Sequence, residues 1–184
     1  MNSKLLNDSI KLFDLANSKF IENNKSLFID NVSERTFCGA LMIEIYNIIS
    51  ESFKDYSNYF VDVEYNRARN GELKHCVKTI KGVDEHIIRI NCDLIVHGRG
   101  LGKVITENLI AIEMKKEYRS KKSKTSDKER LIVLTAPIDE VYPWKGGISP
   151  KIVSGYILGV YYEIKEDGRI ELEYYANGGV IKKI

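Results

Sequence analysis

Residues 92–116 read CDLIVHGRGLGKVITENLIAIEMKK, and the placing of the rest of the chain follows from them. Leu94 and Val96 extend an apolar face that includes Ile88, Ile90 and Cys92, so 87–97 reads as one strand with Arg89, Asn91, Asp93 and His97 turned mostly the other way. After the glycine-punctuated turn HGRGLGK, 108–116 repeats the arrangement: Ile110, Ile112 and Met114 share one face, while Leu109, Ala111, Glu113 and Lys115 share the other. Paired as a hairpin through residues 98–107, the two strands bring Asp93 next to the triplet Glu113-Met114-Lys115. Two carboxylates suit a hard divalent cation, Mg²⁺ or Mn²⁺, because such ions favour oxygen donors. Lys115 stands two residues beyond Glu113 on the same face, where an ammonium can meet the charge that develops on phosphate oxygens when water attacks.

Working outward, Leu6, Ile10, Phe13 and Phe20 keep a rhythm near 3.6 residues and predict a helix from about residue 3 to 22. Ser33 is a candidate N-cap for a second helix running to about Ser52, whose apolar stripe of Cys38, Leu41, Ile45 and Ile48 is headed by Glu34. Residues 59–65 alternate as a half-buried strand, with Val61, Val63 and Tyr65 on one side. Downstream, the pattern predicts a helix over 127–135 and an irregular excursion from Pro137 to Pro150 that contains Tyr142, Trp144 and Gly146-Gly147. A core strand over 155–164 is then turned by Asp167-Gly168 into a last strand over 169–176. The expected class is α/β in the broad sense, or α+β: a mixed central β-sheet flanked by helices. One domain is expected, with 1–30 as an N-terminal helical extension, 31–164 as core and 165–184 as a C-terminal strand.

Composition agrees with a folded domain, since 184 residues with 43% hydrophobic content can build a core. No apolar run approaches the roughly 18 residues of a membrane span, and MNSKLLNDSIKLFD is too polar for a signal peptide, so a cytoplasmic location without membrane contact is expected. Cys38, Cys76 and Cys92 lie far apart with no C-x-x-C spacing, the pattern of reduced thiols rather than of bridges or a zinc site. The formal charge is only +2, but 114–130 carries eight Lys or Arg against three acids, which gathers the positive charge in one segment. Lys116, Arg119, Lys121, Lys122 and Lys124 are candidate nucleic-acid contacts there; a solvated flexible loop is the simpler reading of the same run.

Asp93 on one strand, followed after the glycine turn by NLIAIEMKK, resembles the signature of the PD-(D/E)XK nuclease superfamily, an Asp and then Glu-x-Lys on neighbouring strands. The order helix, strands, helix, strand agrees over residues 31–164, and the resemblance implies a restriction-endonuclease-like core. It further implies Asp93 and Glu113 as metal ligands with help from the Met114 carbonyl, Lys115 as the catalytic lysine, and Glu34 as an acid reaching the metal or its waters. Glu64-Tyr65-Asn66-Arg67 is similar to an element that recurs in uncharacterised members, whereas Cys92 stands where the family has a proline that is not a ligand.

Each of these residues also has a purely structural account. Asp93 and Glu113 can be solvent-facing residues of a wet sheet paired with Lys115 or Arg89, Glu34 can serve the dipole of its helix, and Glu64 can be a charge partner of Arg67. His75, His86 and His97 are scattered singly, read as surface residues, and receive no catalytic part. The functional expectation is a Mg²⁺- or Mn²⁺-dependent nuclease that hydrolyses DNA through a metal-activated water, with a homodimer supplying the second site for a second strand. The alternative is a catalytically silent module that binds nucleic acid or protein, and RNA or branched junctions are a third possible target of the enzyme.

Overall fold

The computed structural model describes residues 3–65, 75–78, 86–89, 92–137 and 154–184. Three helices come first, α1 (Ser3–Asn23), α2 (Lys25–Ile29) and α3 (Glu34–Ser52), followed by the strands β1 (Phe60–Val63), β2 (His75–Lys78), β3 (His86–Arg89), β4 (Leu94–His97) and β5 (Asn108–Lys116). Helix α4 (Lys121–Thr135) then leads to β6 (Leu158–Ile164), β7 (Ile170–Ala176) and β8 (Gly179–Lys183). Six strands form one mixed sheet in the order β1-β4-β5-β6-β7-β8, in which only β5 and β6 run parallel, and β2 pairs with β3 in a separate ribbon. A parallel neighbour needs a crossover, and α4 lies in that connection.

Alternation along the central strands sets two cores. Leu94 and Val96 of β4, Ile110, Ile112 and Met114 of β5, and Leu158, Val160 and Tyr162 of β6 pack with α1 and α3. Ile95, Ala111 and Tyr161 point to the opposite face and pack with Leu131 and Leu134 of α4. Covered on both sides, β4 is buried at all four positions, which is why its sequence reads as a continuous apolar run. Helix α1 belongs to the first core rather than lying outside it, because Leu12, Phe13, Ala16 and Phe20 are fully buried. Phe20 stacks at 5.5, 6.2 and 6.3 Å from the rings of Phe28, Phe37 and Tyr162, tying three helices to β6 through aromatic contacts of about 0.5–1.5 kcal/mol each.

Several expectations need correction. The stretch 87–97 is two strands, since β3 pairs with β2 while β4 pairs with β1 and β5, and Asp93 lies just ahead of β4. Apolar alternation cannot report a change of pairing partner. Helix α4 starts six residues before the predicted 127, so much of the basic run is helical, with Ser120 as its N-cap accepting from Ser123 N. Its first two turns lack an apolar stripe because they rest on the sheet through charge: Lys124 donates to Glu163 at 2.9 Å and Lys128, one turn on, to Glu173 at 2.8 Å. His97 is fully buried, not a surface residue, with its Nε2 2.8 Å from Asp62.

The C-terminal strand is a hairpin. Ala176 and Gly179 are paired, and the two residues between them, Asn177 and Gly178, have φ of +50° and +72°, the mirror-image turn for which Asn-Gly is the strongest short-range signal. That signal was present in the sequence and was missed. Ser33 caps α3 as expected, accepting from Thr36 N. The excursion around Tyr142 and Trp144 lies outside the described residues.

Candidate functional site

The β4–β5 register pairs Leu94 with Ile112, and one step further places Asp93 opposite Glu113. Asp93 is fixed there by its own side chain, which accepts the Met114 N–H at 2.8 Å, and the edge of β5 therefore anchors the carboxylate that precedes β4. On the α4 side of the sheet, the Lys115 ammonium lies 3.7 Å from Asp93 and 3.0 Å from Asp127, and donates to the Met114 carbonyl at 3.3 Å. Glu113 is fully buried. Its Oε1 accepts from Arg130 at 2.5 Å, and the other arm of the same guanidinium reaches Asp127 at 3.1 Å. Asp93, Lys115, Asp127, Arg130 and Glu113 thus form an alternating chain of three carboxylates and two cations.

The electrostatics follow from burial and this unequal count. Burial raises the Glu113 carboxyl to about 8; the Arg130 charge opposes that rise, and Asp93 and Asp127 add to it. Burial likewise raises Asp93, against the pull of Lys115 and of the Met114 N–H. Burial works against the Lys115 ammonium, but Asp93 and Asp127 outweigh it and hold its pKa above the ordinary lysine value. Burial thus dominates at the two carboxyls, whereas the neighbouring aspartates dominate at Lys115.

Glu34, at the first position of α3, approaches the same strand end from the other face. It accepts the Lys116 N–H at 3.1 Å and both arms of Arg119 at 2.8 and 3.1 Å. Burial would raise its carboxyl, yet these hydrogen bonds hold it below the usual range. Glu64 pairs with Arg35, while Arg67 lies outside the described residues.

The basic candidates divide. Lys116 is buried, with its ammonium on the Asn31 carbonyl and side chain at 2.7 and 2.6 Å, and Lys124 is held by Glu163 and by the Glu117 carbonyl at 2.7 Å. Arg119 is committed to Glu34, and Lys121 and Lys122 are exposed at the start of α4.

Sequence reasoning missed Asp127 and Arg130. Their signal was available: Asp127, Arg130, Leu131 and Leu134 fall at i, i+3, i+4 and i+7, so the two charged residues share the inward stripe of the helix with two core leucines. A charged pair on such a stripe marks a buried polar partner on the sheet.

The donors present suit a hard cation of the Mg²⁺ type, which takes one or two carboxylates and keeps several waters. Buried Glu113 Oε2 has no hydrogen-bond partner among the described residues, so once the carboxyl gives up its proton it offers an acceptor oxygen to such an ion. No set of three His, Cys, Asp or Glu side chains among the described residues is close enough to hold a metal by protein ligands alone. Among the described residues, no helix is long and apolar enough to cross a membrane. Comparison with known family models, curated proteins and solved structures finds no match to this chain.

Proposed function

We propose that the chain is a divalent-metal-dependent nuclease of the PD-(D/E)XK type, acting on phosphodiester bonds in DNA. One observation carries the reading: Asp93 and the Glu113-Met114-Lys115 strand end converge, with an ammonium 3.7 Å from the first carboxylate and an unpartnered buried oxygen on the second. The order α3, β1, β4, β5, α4, β6, with an antiparallel trio followed by a parallel fourth strand, supports a restriction-endonuclease-like core.

In this reading Asp93 and Glu113 hold the cation, with the Met114 carbonyl beside them. When bound, Mg²⁺ or Mn²⁺ supplies neutralising charge at the phosphate and lowers the pKa of a water to make it a nucleophile. Lys115 meets charge developing on the phosphate oxygens, and Asp127 keeps that ammonium charged and aimed at the site. Glu34 and Arg119 bound the site on the α3 side, and Lys121 and Lys122 provide exposed charge for the phosphate backbone. A homodimer would place a second site on a duplex. Cys38 and Cys92 are free and buried, which suits the reducing cytoplasm.

A second reading rests on its own observation. Glu113 is met by Arg130 and Lys115 by Asp127, so each charged group already has a counter-charge without any ligand, as in a silent module that keeps the architecture to bind nucleic acid or protein.

The experiment is incubation of the protein with supercoiled plasmid, linear duplex, single strands, branched junctions and RNA, with and without Mg²⁺. The nuclease reading expects metal-dependent cleavage that falls by about 10² or more in Asp93→Asn, Glu113→Gln and Lys115→Ala, the scale of losing a charge-stabilising group. Equal activity in the wild type and all three variants rejects it. No cleavage of any substrate, with no carboxylate-dependent Mn²⁺ isotherm at millimolar metal, selects the module.

A further inference from the structure

A second feature lies on the α3 side of Asp93. Here a cavity of about 210 Å³ is lined by Ser33, Glu34, Arg35, Glu64, Asp93 and Arg119, among others. At that size it falls below the roughly 300 Å³ at which ordinary ligand pockets begin, so it admits one compact group and not a whole nucleoside. Its two guanidiniums come from different elements, Arg35 from the first turn of α3 and Arg119 from the turn between β5 and α4. Each rests on a carboxylate of the same cavity: Arg119 grips Glu34 through both arms, and Arg35 grips Glu64 through Nε at 3.2 Å and through its terminal amine.

These pairings can exchange at little cost. The Arg35 and Arg119 side chains are 73% and 46% exposed, and ion pairs that water reaches are weak because solvent screens them. A guanidinium fork that accepts a carboxylate bidentately accepts a phosphate in the same way. Glu64 is held at the cavity by an uncommon backbone, with φ of +52° and its N–H donated to the Asp93 carbonyl at 3.2 Å. Left-handed backbone at a non-glycine residue is strained and persists where its surroundings impose it. The geometry therefore fixes Glu64 beside Asp93 as a parking place for Arg35.

Charge decides when an anion can enter. Three carboxylates, Glu34, Glu64 and Asp93, face the two guanidiniums and the Lys115 ammonium 3.7 Å from Asp93, so an anion arriving alone meets a cavity with no net positive charge. A divalent cation on Asp93 supplies that charge. We propose that Arg35 and Arg119 form a phosphate-binding site whose affinity depends on a divalent cation at Asp93, the two guanidiniums leaving Glu34 and Glu64 to grip a nucleotide phosphate. This rests on the cation reading of Asp93 given above and names the residues that would hold the phosphate. The N-terminal end of α3, which carries partial positive charge, lies at the same cavity and favours the same ligand.

The test is titration calorimetry of the full chain with two probes, thymidine 5′-monophosphate and the dinucleotide dTpdT, with and without millimolar Mn²⁺. Expected is binding of at least one probe that is tenfold or more tighter with Mn²⁺, and an equal gain in Mn²⁺ affinity when that probe is present, as linkage requires. Arg35→Gln with Arg119→Gln should weaken the nucleotide tenfold or more, about 1.4 kcal/mol or more, while Mn²⁺ affinity in its absence is not reduced, because the substitutions remove only positive charge from the cavity. Arg35→Gln alone, at the more exposed position, provides the same comparison with the fold least disturbed. Preference for the monophosphate assigns the site to a chain end, and preference for dTpdT to an internal diester. Mn²⁺ binding with nucleotide affinity indifferent to both arginines overturns this inference and leaves the cation reading standing. Nucleotide binding that ignores Mn²⁺ overturns it as well. Absence of Mn²⁺ binding removes the cation reading and this inference together.

Discussion

Arg130 of α4 donates to Glu113 of β5 at 2.5 Å, joining the crossover helix to the strand that it covers at a point where Glu113 is fully buried. The pair is half of a bridge, since the same guanidinium reaches Asp127, which in turn holds Lys115.

Removing the cation from this bridge should be expensive. Above about pH 8, where Glu113 is ionised, Arg130→Leu leaves its carboxylate buried without a partner, and breaking a buried ion pair from one side costs about 3–5 kcal/mol. Arg130→Leu combined with Glu113→Leu removes both charges and should recover most of the loss. Urea denaturation of the two variants checks this; a single variant as stable as the wild type would show that the pair contributes nothing.

The same burial makes stability depend on pH. Glu113 has its carboxyl raised from 4.5 to about 8 in the folded chain, so between those values the folded state holds a proton that the unfolded chain has released. Its contribution is fully present below about pH 4.5 and is lost as pH rises toward about 8. Glu113→Gln has no such proton, and its stability relative to wild type should increase from about pH 5 to about pH 8. Urea midpoints of both proteins at the two pH values measure this, and a constant difference refutes it.

Exposed and buried members of the basic run should behave differently. If the chain binds DNA, removing Lys121 and Lys122 should flatten the dependence of affinity on salt, by up to about 0.9 in logarithmic slope for each phosphate that is no longer neutralised. Lys116→Ala should leave that slope unchanged and instead cost about 1–3 kcal/mol of stability, because it strips the part-buried, charge-assisted hydrogen bonds to Asn31. Fluorescence anisotropy over a salt series, with denaturation alongside, separates the two effects; a slope changed by Lys116→Ala counts against this division.

At the C-terminal hairpin, Gly178→Ala places a methyl group at φ of +72° and 3.3 Å from the Ala136 side chain, which should cost about 1–2 kcal/mol. Gly179→Ala meets nothing within 4 Å and serves as the control. Equal thermal midpoints for the two variants would contradict the assigned turn.

Much of the layout was legible because local rules and burial agreed. Ser33 and the stripe beginning at Glu34 located α3, and alternation located β5 from Asn108 to Lys116 without error at either end. Asp93 and Glu113 were legible as neighbours because a hairpin loop fixes which strands pair. Where one segment served two partners, as in 87–97, the apolar rhythm ran straight through the division between β3 and β4. The first turns of α4 escaped because their contacts with the sheet are lysine to glutamate, a kind of burial that leaves no apolar period.

By itself the sequence determined which residues could form helices and strands and which strand end would carry Asp93, Glu113 and Lys115, since side-chain alternation and turn chemistry act over a few neighbouring positions. Only the tertiary structure decided who pairs with whom: Arg130 with Glu113, Asp127 with Lys115 and Arg119 with Glu34 by charge, and Lys116 with Asn31 by hydrogen bonds. Those choices depend on how α3 and α4 lie across the sheet, and Coulomb attraction between side chains distant in sequence acts only after packing has brought them within a few ångströms.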